Sequence, residues 1–281
     1  MKTGIYALHS RAEVGSGNQV MRLPFQSSAP AVAVRQPRPP FVPDVAGASI
    51  GARYCEDRTG GDFFDFALTP NGRVLVLMAD IAGKRDQTFA IAAAMQDLFH
   101  GRGPELFTGG DGNESLALTE LALDLNRGIL QAASGVRCTS AFVICYDTQL
   151  GTAWWVNAGH TPGLHIAPNG DTHELPASGI PFGLFSHTPH DAQLLVLQPG
   201  ACMLLASKGL VEIRLGSREF GIAGVAAAAA SHERTAAKDL CQSVLDASDR
   251  FIAETPARLI PLPHRQPRHP DRSALAIIRT V

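Results

Sequence analysis

The chain predicts an α+β sandwich, two antiparallel sheets covered by helices. Strand-like runs are joined by short turns rich in Gly, Asn and Asp, which makes neighbours antiparallel hairpin partners rather than members of βαβ crossovers. Segments of helical period fall between groups of strands instead of alternating with single strands. With 281 residues, 45% of them hydrophobic and 18% charged, the chain can bury a large core.

Residues 1–42 stand apart, because Gly15-Ser16-Gly17, Ser27-Ser28 and Arg35-Gln36-Pro37-Arg38-Pro39-Pro40 sustain no period. They read as a flexible Pro/Gly/Ser-rich arm preceding a domain over 43–281. Lys2, Arg11, Arg22, Arg35 and Arg38 face a single acid there, Glu13, a balance that suits an acidic partner surface. Strand signals begin at Ala48. The turn Thr69-Pro70-Asn71-Gly72 joins strands over 63–68 and 73–80, and the turn over 147–151 joins 140–146 to 152–157. Pro168-Asn169-Gly170-Asp171 joins 164–166 to 172–175, and further strands fall at 193–197, 202–207 and 273–279. Helical periodicity marks 88–100, 116–130 and 235–252, the last through Ala236, Leu240, Val244, Leu245, Phe251 and Ile252. Ala226 to Ala230 stands out as a low-complexity alanine run.

A formal net charge of −2 and a pI near 6.5 argue against nucleic acid as the main partner. No apolar run approaches the length of a membrane span, and Lys2 is followed by no apolar leader stretch. Cys55, Cys138, Cys145, Cys202 and Cys241 are odd in number, scattered and never in a Cys-x-x-Cys arrangement. Reduced, buried thiols and a cytoplasmic location are therefore expected.

Two apolar runs carry aspartates at their ends. Gly60-Gly61-Asp62 opens an aromatic strand, and Asp80 closes the run Val74 to Ala79. Glycines let the backbone turn tightly beside Asp62. A carboxylate beside Met78 and Ala79 must find a partner or a cation. Were the two strands neighbours, Asp62 and Asp80 would converge on a hard ion such as Mg²⁺ or Mn²⁺. That arrangement points to metal-dependent hydrolysis.

Taken in order, Gly60-Gly61-Asp62-Phe63-Phe64-Asp65, Asp80-Ile81-Ala82-Gly83-Lys84, Asn157-Ala158-Gly159-His160-Thr161-Pro162 and Gly179-Ile180-Pro181-Phe182-Gly183 resemble the successive motifs of the SpoIIE/RsbU-type phosphatases. These belong to the PPM class of metal-dependent Ser/Thr protein phosphatases. The resemblance runs from about residue 43 to the C-terminus. It implies an α-β-β-α sandwich holding two Mn²⁺ or Mg²⁺ ions, and a metal-bridging hydroxide that attacks a phosphoserine or phosphothreonine. By the same resemblance, Asp80 bridges both ions, the Ile81 carbonyl holds one, and Asp62 supports a ligand or a metal-bound water. The implied partner is a phosphoprotein of the anti-sigma-factor-antagonist type in bacterial partner switching.

Two positions depart from that pattern. Where the family carries Thr-Asp-Gly-Val-Thr-Glu, this chain has Ser207-Lys208-Gly209-Leu210-Val211-Glu212; where it carries Asp-Asp-x-Thr, this chain has Pro270-Asp271-Arg272-Ser273. Lys208 and Pro270 thus occupy the places of metal-ligand aspartates. An ammonium at such a place repels a divalent ion, and proline has neither side-chain ligand nor N–H. Impaired catalysis is expected, or a pseudophosphatase binding module or adaptor without turnover. A sharper expectation sets the Lys208 ammonium between Asp62 and Asp80 in place of the cation. Arg85, where the family favours glycine, is a candidate phosphate contact or a solvated helix-start residue. His160 reads as a turn histidine holding backbone groups. Alternation predicts that Trp154 and Trp155 point to opposite faces of their strand.

Overall fold

The computed structural model describes residues 35–55, 61–83, 85–108, 113–133, 137–231, 236–254 and 271–281, with the side chains of Arg85 and Asp86 outside that description. Among these residues two five-stranded antiparallel sheets lie face to face. The first sheet runs β2-β3-β4-β5-β8, where β2 is Asp62–Leu68, β3 Val74–Ile81, β4 Thr139–Asp147, β5 Thr152–Ala158 and β8 Gln193–Val196. The second runs β1-β12-β9-β6-β7, where β1 is Ala48–Tyr54, β6 Gly163–Ile166, β7 Thr172–Leu175, β9 Cys202–Ala206 and β12 Ser273–Arg279. The hairpins β2–β3, β4–β5 and β6–β7 are those the turns predict.

Side-chain alternation divides the strands among three apolar layers. On β3, Val74, Val76 and Met78 point between the sheets, while Leu75, Leu77, Ala79 and Ile81 point outward. The outward set packs on α1 (Arg85–Leu106) and α2 (Glu114–Ala132). The outer face of the second sheet is covered by α4 (Gly221–Ala230) and α5 (Ala237–Ala253), with Leu204, Ala206, Ala276 and Ile278 beneath Val225, Leu240 and Val244. The result is the α-β-β-α order. Between β9 and α4 in the chain come the short α3 (Lys208–Val211) and a small hairpin of β10 (Arg214–Leu215) with β11 (Arg218–Glu219).

Trp155 fills the layer between the sheets and Trp154 packs outward beside the α1–α2 core. Opposite faces are thus used, but neither is bare solvent. The alanine-rich run is a helix, α4, because alanine is the strongest helix former and its small side chains let α4 lie close to α5. None of the five cysteines is in a disulfide; Cys145, Cys202 and Cys241 are buried, Cys55 half-buried and Cys138 exposed. Burial pushes the Cys145 and Cys241 thiols far up, so both stay protonated.

Residues 1–34, most of the predicted arm, lie outside the described residues. Its last stretch meets α1: Arg35 pairs with Asp97 at 2.5 Å, and Arg38 donates its backbone N–H to Gln96 Oε1 at 2.7 Å. Gln96 Nε2 in turn donates to Asp65 Oδ2 at 2.7 Å, and the buried Asp65 also meets His100 Nε2 at 2.8 Å. Asp65, three residues after Asp62, therefore serves the helix side of its sheet.

Candidate functional site

Asp62 and Asp80 are direct partners in the β2–β3 register. By alternation with Phe64, Phe66 and Met78, both side chains belong to the face between the sheets. The glycine before Asp62 has a steric reason. A Cβ on Gly61 would lie 2.3 Å from the Ile81 carbonyl oxygen, so only glycine admits the close pairing that also has Ile81 N–H donating to Gly61 O at 3.0 Å.

The opposite sheet supplies Asp62 with hydroxyls. Ser273, at the start of β12, donates from Oγ to Asp62 Oδ2 at 2.7 Å, and the Ser207 hydroxyl bonds the same carboxylate. Ser207 and Ser273 are themselves locked together. Ser207 N–H donates to Ser273 O at 2.9 Å, and Ser273 N–H donates to Ser207 Oγ at 3.0 Å. Sequence reasoning did not single out these serines as site residues, though both stood in the quoted motifs, one beside Lys208 and the other closing Pro270-Asp271-Arg272-Ser273.

Burial, at 4% exposure, outweighs the two opposing serine hydroxyls and, with smaller contributions from the charges of Asp80 and Asp271, pushes the Asp62 carboxyl up to about 7. Asp80, half-buried, is also raised, first by burial, with Lys208 lowering it and Glu212 and Asp271 raising it. Asp271 thus acts electrostatically on both carboxylates.

Lys208 opens α3 with its side chain 57% exposed, and its ammonium pairs with Glu212 at 3.7 Å. This corrects the expectation that it sits between Asp62 and Asp80. Its charge reaches Asp80 through space from the rim, because the first residue of a helix leaving the sheet end points to solvent. Pro270 lies outside the described residues, as does the Arg85 side chain, although Arg85 begins α1.

His160 is buried, and its ring Nδ1 lies 3.1 Å from Thr161 O while its backbone N–H donates to Asn157 Oδ1 at 2.8 Å. Burial pushes it down to about 4, leaving a neutral imidazole. A histidine knitting its own loop is what the surrounding residues predicted. The loop is clamped to the next motif: Gly159 has φ 68°, and a Cβ there would lie 2.5 Å from Pro181 Cδ.

A two-cation centre would make specific demands on these residues. Its carboxylates must be ionised and free to coordinate. Asp62 instead already engages the hydroxyls of Ser207 and Ser273, and position 208 presents an ammonium rather than a carboxylate. Among the described residues no three His, Cys, Asp or Glu side chains are grouped to hold an ion. The described residues do not fit a two-cation centre.

Layering and site together define the fold of the PPM-type protein phosphatases. The chain belongs to the SpoIIE family: the family model "Stage II sporulation protein E (SpoIIE)" matches residues 70–276. The RsbU and RsbW domains of a Mycobacterium tuberculosis protein superpose with a TM-score of 0.64 at 24% identity, over 83% of this chain and 61% of that one. The PP2C phosphatase domain of SpoIIE from Bacillus subtilis, solved with a fragment of its regulatory domain, gives 0.63 at 12% identity, over 82% and 63%. This chain therefore spans about three-fifths of the length of both. RsbX, solved in complex with magnesium, gives 0.54 at 13% identity, over 84% and 98%. No curated protein sequence matches the chain. Among the described residues no helix is long and apolar enough to cross a membrane.

Proposed function

We propose that this domain engages a phosphorylated regulatory protein, of the anti-sigma-factor-antagonist type, in bacterial partner switching, and that its metal-dependent turnover is impaired. The kinship with SpoIIE and the fold shared with RsbU and RsbX support the signalling context. One observation carries the impairment. Lys208 stands where the family carries a metal-ligand aspartate, and its charge acts on Asp80, the carboxylate expected to bridge two Mn²⁺ or Mg²⁺ ions. An ammonium acting on that carboxylate opposes a dication there.

A second reading, residual activity through one ion, draws on Asp271, whose charge acts on both Asp62 and Asp80. The two readings separate in an assay with Mn²⁺ on a phosphoserine peptide, comparing the unmodified chain with a Lys208→Asp, Pro270→Asp double variant. Turnover in the double variant alone is expected. Turnover of the unmodified chain at the double variant's rate would overturn the impairment.

A further inference from the structure

We propose that the β6–β7 hairpin carries a two-histidine site for a borderline divalent cation of the Zn²⁺ class, separate from the carboxylate cluster. His165 on β6 and His173 on β7 are direct antiparallel register partners. Their rings are stacked, with centroids 6.1 Å apart and planes 22° from parallel. Both belong to one face of the second sheet. His165 lies opposite Met203 of β9, and Leu175 follows His173 by two residues; Met203 and Leu175 both belong to the core between the sheets.

The chemistry suits imidazole rather than carboxylate ligation. Neutral imidazole nitrogens are preferred ligands of Zn²⁺, Cu²⁺ and Ni²⁺, whereas Mg²⁺ and Mn²⁺ favour oxygen. Among the described residues no hydrogen bond engages either ring. Zn–N bonds are about 2.0–2.1 Å, so the two rings must turn out of their stacked arrangement for one nitrogen from each to meet a shared ion. Such a rotation is open to His173, which is exposed on the edge strand β7. The hairpin fixes the spacing in advance, so little order is lost on binding. Two protein ligands leave coordination positions open to water or to a donor from a partner.

Titration of the intact chain with Zn²⁺ by calorimetry, in excess Mg²⁺ to cover oxygen sites, tests the assignment. His165→Gln and His173→Gln should each weaken one binding event by roughly tenfold or more, because either removes one of two ligands held at fixed spacing. His187→Gln, an exposed histidine outside the pair, should leave that event unchanged. Substoichiometric Cu²⁺ should broaden the ring resonances of His165 and His173 before those of other histidines. Zn²⁺ binding that is absent, or that survives both substitutions undiminished, overturns the site; so does first broadening elsewhere.

Discussion

At the scale of single residues, two displaced titrations near the cleft oppose each other. Asp62 is raised to about 7 from an ordinary 3.8, so between those values the folded chain keeps a proton that the unfolded chain has released, and stability falls as pH rises through the window. His160 is lowered to about 4 from 6.5, so over that range the unfolded chain takes up a proton that the folded chain refuses, and stability falls as pH drops. Over the shared window the two slopes largely cancel. Asp62→Asn should expose the acid-side loss and raise stability at pH 8 by on the order of 3 kcal/mol, with little change at pH 4. Urea denaturation across pH 4–8 checks this; an unchanged profile would mean that Asp62 is ionised in the fold. Serines 207 and 273, which hold that carboxylate, were invisible to reasoning that sought charged ligands, since a hydroxyl advertises nothing until the opposite sheet brings it into reach.

Elements were the most legible level. Turn chemistry located three hairpins, and the β2–β3 pairing placed Asp62 opposite Asp80. The alanine run was missed as a helix because it lacks an apolar stripe with polar relief, the signal that marks α5. Lys208 was misplaced for a different reason: sequence fixes where a motif falls on a strand, not whether a long flexible side chain turns into the cleft or out of it. Tight strand contact makes a prediction of its own. Gly61→Ala should destabilise by about 1–3 kcal/mol, since its new methyl collides with the Ile81 carbonyl and wedges β2 from β3. Gly101→Ala in α1, where a Cβ meets nothing within 4 Å, should instead stabilise by up to about 1 kcal/mol. Equal effects of the two on the denaturation midpoint would refute the steric account.

For the whole molecule, layering means that the sheets share a core yet, among the described residues, exchange no ladder hydrogen bonds. Millimolar Mn²⁺ should hardly move the melting temperature of the unmodified chain, while the Lys208→Asp, Pro270→Asp variant should gain several degrees, as ligand binding to the folded state demands. A large shift in the unmodified chain would show a working cation site. The bond from Ser273 to Asp62 has a consequence for what this fold can tolerate. It is a polar rivet between layers, made by one side chain from each sheet, and it needs no ion to close. Position 208 is then released from any duty in holding the sandwich shut, so a residue of either charge can stand there without opening the layers.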